Sequence, residues 1–292
     1  MKRIGINASG GDFGYKEIVP GVMKALASSS YQIVVYGDSN IIDKDFPYGL
    51  PPVCLEIAHC NSPNKELERA FADLKRGDID AFVTASNSRR LLAYAKDHCQ
   101  EGIPLPGLLA PLPINKDRTV YMLDVGATNR VSDPQVFLGW FRAGRRYLQV
   151  YMGIDEPKIG LLNIATERAY PELMMIHQAL EGNDGYVGYS EPARFFAGEI
   201  DLWLMEGFIG NAFLKLTEEV LALTLTVCIE EVHDIPLAQL HLGKMAKERM
   251  SYGAYLVSPL IGLKYPVFRV HGRCNSDQIA KSFEAIKPYL LA

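Results

Sequence analysis

Short apolar runs alternate with longer helical patterns along this chain, and that alternation constrains its fold more than any other feature. A βαβ series of this kind builds a largely parallel sheet covered by helices, because each crossover must pack back onto the sheet. The apolar runs predict strands at Arg3–Asn7, Gln32–Tyr36, Val53–Ile57, Ala81–Thr84, Thr119–Asp124, Lys158–Asn163, Asp201–Met205 and Pro266–Val270. Helices are predicted at Lys16–Ala27, Lys65–Arg76, Asp133–Met152, Pro171–Leu180, Asn211–Val232 and Ser276–Leu290. Asp133-Pro134 reads as an N-cap followed by a first-turn proline, where the missing N–H costs nothing. The proline-rich stretch Glu101–Asp117 is the most irregular, either a link between two lobes or a long crossover within a single unit spanning 1–292.

Composition narrows the function classes. With 48% hydrophobic residues among 292, the chain can build a sizeable core. A net charge of −4 and the lack of any basic run remove the electrostatic footprint of a nucleic-acid binder. Five scattered cysteines, with no Cys-x-x-Cys, indicate neither a disulfide framework nor a zinc site, and free thiols fit a reducing, cytoplasmic setting. The opening run before Gly10-Gly11-Asp12 is too short for a signal-peptide core. No stretch is apolar for long enough to span a bilayer.

In an open parallel sheet, ligands gather at the carboxyl ends of the strands. Here those ends carry Asn7-Ala8-Ser9-Gly10-Gly11-Asp12, Thr84-Ala85-Ser86-Asn87-Ser88-Arg89-Arg90, and Asp124-Val125-Gly126-Ala127-Thr128-Asn129. Further along come Asn163-Ile164-Ala165-Thr166-Glu167, Glu206-Gly207-Phe208-Ile209-Gly210-Asn211 and His271-Gly272-Arg273-Cys274-Asn275. Glycine permits close backbone approach, and Ser, Thr and Asn supply hydrogen-bond donors. Such turns either form one donor-rich cleft for an anion such as phosphate or are ordinary turns of an α/β protein.

Taken in order, these clusters resemble one family, the acyl-carrier-protein-dependent phosphate acyltransferases of bacterial phospholipid synthesis. That family opens Asp-Ala-Met-Gly-Gly-Asp, where this chain has Asn7-Ala8-Ser9-Gly10-Gly11-Asp12. Its Leu-Leu-Asp-Val-Gly-Ala is matched by Met122-Leu123-Asp124-Val125-Gly126-Ala127, and its Gly-Leu-Leu-Asn motif by Gly160-Leu161-Leu162-Asn163. Its Asp-Gly-Phe-x-Gly-Asn-x-x-Leu-Lys resembles Glu206-Gly207-Phe208-Ile209-Gly210-Asn211-Ala212-Phe213-Leu214-Lys215. Tyr252-Gly253-Ala254 and His271-Gly272-Arg273-Cys274-Asn275 resemble its closing motifs.

The resemblance implies a three-layer α/β/α fold related to isocitrate dehydrogenase and phosphotransacetylase, usually a homodimer. It also implies transfer of an acyl chain from acyl carrier protein to inorganic phosphate, with no metal or organic cofactor and with peripheral membrane contact in some members. Asn211 is then the first choice as an oxyanion donor, with Asn87 and Ser88 next as phosphate or carbonyl contacts. His271 is either a general acid or thiolate stabiliser, or a histidine satisfied at a strand end. Gly10, Gly11, Asp12, Arg89, Asp124, Asn163, Thr166, Glu167, Gly210 and Lys215 complete the expected substrate-binding set.

The departures fall in the cleft. Asn7 stands for an Asp, the family's Ser-Ala-Gly-Asn-Thr-Gly becomes Thr84-Ala85-Ser86-Asn87-Ser88-Arg89, and Arg168 follows Glu167 where the family has a lysine. Two further readings therefore stay open: a non-catalytic homologue that binds acyl carrier protein or a phosphorylated ligand, and a short-chain acyl-CoA:phosphate transferase. His59-Cys60 and His98-Cys99 lack metal-ligand spacing. Arg142, Arg145 and Arg146 form either a face for the acidic carrier or a solvated helix face. The apolar middle of Ala212–Val232 predicts burial, which the resemblance implies lies primarily in a dimer core, and in the family this region continues to a membrane-touching tip, toward which Leu237, Leu240, Leu242 and Met245 point.

Overall fold

The computed structural model describes residues 1–28, 31–42, 54–115, 118–164, 169–232 and 256–291. Among the described residues, eleven strands form one sheet: β1 (Arg3–Asn7), β2 (Gln32–Gly37), β3 (Leu55–His59), β4 (Ala81–Thr84), β5 (Gly107–Pro113), β6 (Thr119–Leu123), β7 (Ile159–Leu162), β8 (Tyr186–Ser190), β9 (Leu202–Leu204), β10 (Val257–Ile261) and β11 (Val267–Val270). Their order is β3-β2-β1-β4-β11-β10-β5-β6-β9-β7-β8. The helices are α1 (Tyr15–Ser28), α2 (Ser39–Ile42), α3 (Pro63–Arg76), α4 (Ser88–Ala95), α5 (Pro134–Met152), α6 (Pro171–Leu180), α7 (Gly207–Glu231), α8 (Ser276–Ala285) and α9 (Lys287–Leu291).

Strand periodicity makes the layers. Ile33 and Val35 point into a cluster shared with Ile18 and Val22 of α1 and Ile279 and Phe283 of α8. Their neighbours Val34 and Tyr36 face the other way, against Leu67, Phe71 and Leu74 of α3. Leu123 and Leu204 likewise meet Phe137, Trp140 and Phe141 of α5 and Leu173 and Ile176 of α6, while Met122 and Trp203 belong to the opposite layer. The sheet is thus covered on both faces, the three-layer arrangement expected. Asp133 caps α5 through a hydrogen bond from the Gln135 N–H (2.9 Å), with Pro134 in the first turn.

Three strands escape the sequence reading. β5 lies inside the segment read as irregular, because Pro111 and Pro113 argue against a strand. They are tolerated because β10 pairs β5 only at Gly107 and Leu108, so the proline-bearing half has a ladder on one side, with β6. β8 and β10 are the others.

The register of β10 positions the site. β3, β2, β1, β4 and β11 run parallel to one another, as do β6, β9, β7 and β8. Antiparallel pairings through β10 and β5 join the two sets and point them in opposite directions. Ser258 lies opposite Arg269, itself level with Thr84, the last residue of β4. Leu260 lies opposite Leu108, next to Leu109, which faces Leu123 at the end of β6. The carboxyl edges of both sets therefore meet within about two residues of β10, a rise of roughly 7 Å.

Candidate functional site

Beneath the first edge lies a buried polar network. The Thr84 hydroxyl donates to Asn7 Oδ1 (2.6 Å), and Asn7 Nδ2 donates to Ser86 Oγ (3.0 Å) and toward Glu66 Oε2 (3.4 Å). Glu66, from the first turn of α3, also accepts from the Ser9 N–H (3.1 Å), the Ser9 hydroxyl (2.6 Å) and the Tyr15 hydroxyl (3.3 Å). Burial pushes its carboxyl above the usual carboxylate range, against the pull of these donors. The turn leaving β4 is thereby fixed, and Asn87 caps α4 by accepting from the Arg89 N–H (3.0 Å).

The second edge is organised by Asp124, which is fully buried. Its carboxylate accepts from the backbone N–H groups of Leu108, Gly126, Ala127 and Thr128 and from the Thr128 hydroxyl, at 2.7–3.1 Å. Burial pushes its pKa up while those donors pull it down. Asp124 thus shapes the 125–128 turn from behind, with both oxygens committed, in place of the expected substrate contact. Gly210 has a packing reason too: a Cβ there would sit 1.9 Å from the Asp124 carbonyl oxygen. Only glycine lets the start of α7 come so close, and this approach carries Asn211 over Gly126.

Between the two edges opens a cavity of about 230 Å³. Asn87, Ser88, Val125, Asn211, Leu214, Lys215, Glu218, Ser258, Arg269 and His271 are among its walls. Turns from both strand sets therefore converge, as the donor-rich cleft requires. The side-chain amide of Asn211, the Lys215 ammonium and the Ser88 hydroxyl make no hydrogen bond to any described residue, so they are available to a ligand.

Arg269 is the residue that sequence reasoning missed. Its Nε donates to the Ser86 carbonyl (3.3 Å), and no carboxylate among the described residues pairs with it. Burial lowers its pKa, the mark of a desolvated cation. Burial, then the cations Arg269 and Arg273, also holds the His271 imidazole below its ordinary pKa. His271 Nδ1 accepts from the Arg273 N–H (3.1 Å), which leaves the proton of the neutral ring on Nε2. Glu218 is the carboxylate of this wall, its pKa raised by burial and by Glu219. The balance of the cavity is cationic and rich in donors, suited to a small oxyanion.

The remaining expected residues lie elsewhere. Gly10 packs on the Asn7 side chain, and Gly11, at φ +78°, passes against the Gly272 carbonyl, to which the Asp12 N–H donates (2.7 Å). Gly11 and Asp12 line an adjacent open groove with Phe13 and Tyr15, outside the cavity described above. Arg89 is exposed, away from the cavity walls. Asn163 is buried at the end of β7, its Oδ1 accepting from the Ile164 N–H (2.8 Å), and it does not line the cavity. Thr166, Glu167 and Arg168 lie outside the described residues, as do Tyr252-Gly253-Ala254 and the 237–245 apolar stretch.

A family model described as "Fatty acid synthesis protein" matches residues 56–288. The chain belongs to this family. Curated relatives of the family bear the name phosphate acyltransferase. That of Campylobacter concisus is 29% identical over 98% of this chain and 94% of its own length. That of Thermoanaerobacterium thermosaccharolyticum is 31% identical over 98% of this chain and 91% of its own. Among solved structures, a branched-chain phosphotransacylase from Enterococcus faecalis superposes with a TM-score of 0.61 at 16% identity, covering 99% of both chains. The EutD phosphotransacetylase of Staphylococcus aureus follows at 0.57 and 12%, covering 99% of this chain and 94% of that one. Isocitrate dehydrogenase from Methylococcus capsulatus reaches 0.50 at 10%, covering 99% and 87%. At those identities the likeness concerns the fold, which this chain shares with these phosphotransacylase, phosphotransacetylase and isocitrate dehydrogenase structures.

Proposed function

We propose that this chain performs the phosphate acyltransferase reaction of its family, moving a fatty acyl group from acyl carrier protein to inorganic phosphate. The product is an acyl phosphate for phospholipid synthesis. The observation that carries this reading is the cationic cavity at the meeting of the two carboxyl edges, where among the described residues Arg269 has no acidic partner and the Asn211 amide makes no hydrogen bond.

The chemistry needs no protein nucleophile. An oxygen of hydrogen phosphate attacks the thioester carbonyl carbon, the C–S bond breaks, and the phosphate's proton ends on the departing thiolate. Arg269 and Lys215, with the Ser88 hydroxyl and the Asn87 amide, hold the phosphate beside the carbonyl, which removes much of the entropic cost of bringing two reactants together. Asn211 donates to the oxyanion as it forms, where a preorganised donor in a dry site counts most. His271, in the same wall, is the candidate general acid or thiolate stabiliser for the leaving sulfur.

The proposal extends to the assembly. α7 leaves Leu216, Val220, Leu223 and Val227 between 46% and 65% exposed, so the expected burial of this apolar stretch is not made among the described residues. A second copy covering that stripe gives the homodimer. Among the described residues no helix is long and apolar enough to cross a membrane.

The deciding experiment follows acyl-carrier-protein thioester consumption with and without phosphate. Wild-type protein should consume it only with phosphate, and Asn211→Ala should lower turnover about 10²–10³-fold. No phosphate-dependent consumption with carrier or CoA thioesters would leave the family scaffold as a binder.

A further inference from the structure

Glu66 is buried at 1% exposure, has no cationic partner among the described residues, and touches nothing in the cavity. Bringing an unpaired carboxylate out of water is costly unless hydrogen bonds to it offset the loss. Its contacts supply them. Glu66 Oε2 gathers both donors of Ser9 and the amide of Asn7, so it clamps the turn leaving β1 to the start of α3.

The Asn7 amide has one orientation open to it. Thr84 Oγ1 accepts from the Ser86 N–H (3.0 Å) and donates to Asn7 Oδ1, and the reversed amide would set that oxygen against the Glu66 carboxylate. That turns the Asn7 NH₂ toward Glu66 and Ser86 Oγ. The Ser86 peptide, fixed in this way, presents the carbonyl that receives Arg269 Nε, and the next residue is Asn87. The relay from Glu66 through Asn7 and Ser86 ends on two of the groups that face the cavity.

We infer that Glu66 is a positioning residue for the phosphate half of the reaction, acting through Asn7 and the Ser86 peptide to aim Arg269 and Asn87. The inference rests on the reading of the cavity as a phosphate site. It explains why position 7 carries an amide: a carboxylate there would lie about 3.4 Å from Glu66 with no hydrogen to offer it.

Two measurements on the full chain test this: steady-state kinetics with phosphate and thioester varied in turn, and calorimetric titration with inorganic phosphate. Glu66→Gln should raise KM and Kd for phosphate about tenfold, with KM for the thioester unchanged. Asn7→Asp should be worse in the wild-type background than in the Glu66→Gln background, because the second carboxylate is then gone. Should Glu66→Gln fail to fold, Ser9→Ala, which removes the 2.6 Å bond, should move phosphate affinity in the same direction by a smaller factor. Equal shifts in both KM values, an unchanged phosphate affinity, or an equal cost of Asn7→Asp in both backgrounds would overturn the inference. Phosphate binding that weakens in Glu66→Gln while the wild type shows no turnover would uphold it and refute the catalytic reading instead.

Discussion

A guanidinium lodged in a cavity wall with no acid beside it among the described residues is held there at a cost, since its charge has lost water and, among those residues, gained only the Ser86 carbonyl. Removing that charge while keeping the bulk should therefore separate folding from function. Arg269→Met should melt at the wild-type temperature or above it, while KM for phosphate rises at least about tenfold, or about 1.4 kcal/mol. Arg269→Lys should recover only part of the loss, because a point charge on a flexible stem does not reproduce the planar fork. Calorimetric melts together with phosphate-dependent kinetics decide it. A variant that melts much lower would mean that Arg269 serves the fold, and one with unchanged phosphate kinetics would move the anion site elsewhere.

At the scale of elements, α7 divides in two. Its first turn is fixed by Gly207 and Gly210 against the Thr128 and Asp124 backbone, whereas beyond that turn only Thr217 is buried among the described residues. Leu216, Val220, Leu223 and Val227 follow the alternating four- and three-residue spacing of a helix seam, and such a stripe is a surface for another helix. Sedimentation velocity should find a dimer for the wild type and a monomer for Leu223→Glu, and a variant that stays dimeric would place the contact on another face. The same helix shows what the sequence could tell. Its glycines and Asn211 were legible because they form a compact motif at a strand end, and the alternation of apolar runs placed eight strands to within two residues of their ends. β5 was not legible, since its prolines are tolerated only by a one-sided ladder that no local pattern announces. Arg269 and Glu66 were hidden for a related reason. One is an inward residue of a strand and the other an ordinary acid in the first turn of a charged helix, and only strand order and packing turn them toward the site. Asp124 was found by its motif, but its role depends on five donors that no sequence displays.

Across the whole molecule, two strand sets running in opposite directions bring their carboxyl edges together only because β10 is shared between them. Ser258 on β10 faces the same cavity as Arg269 from one set and Asn211 from the other. A phosphate bridging those walls must hold both sets at once. Hydrogen exchange followed by mass spectrometry should therefore show slower exchange on adding phosphate in three places together: the 84–88 turn, β10 with β11, and the start of α7 at 207–211. The far edge at α6 and β8, which contributes no wall, should be unaffected. Local opening free energies across a fold differ, and a ligand suppresses those openings that break its contacts. Protection confined to the β4 and β11 side would mean that phosphate is bound by one set alone. The oxyanion role given to Asn211 would then lose its geometric basis, because that role requires the bound phosphate and the start of α7 to close on a single thioester from opposite sides.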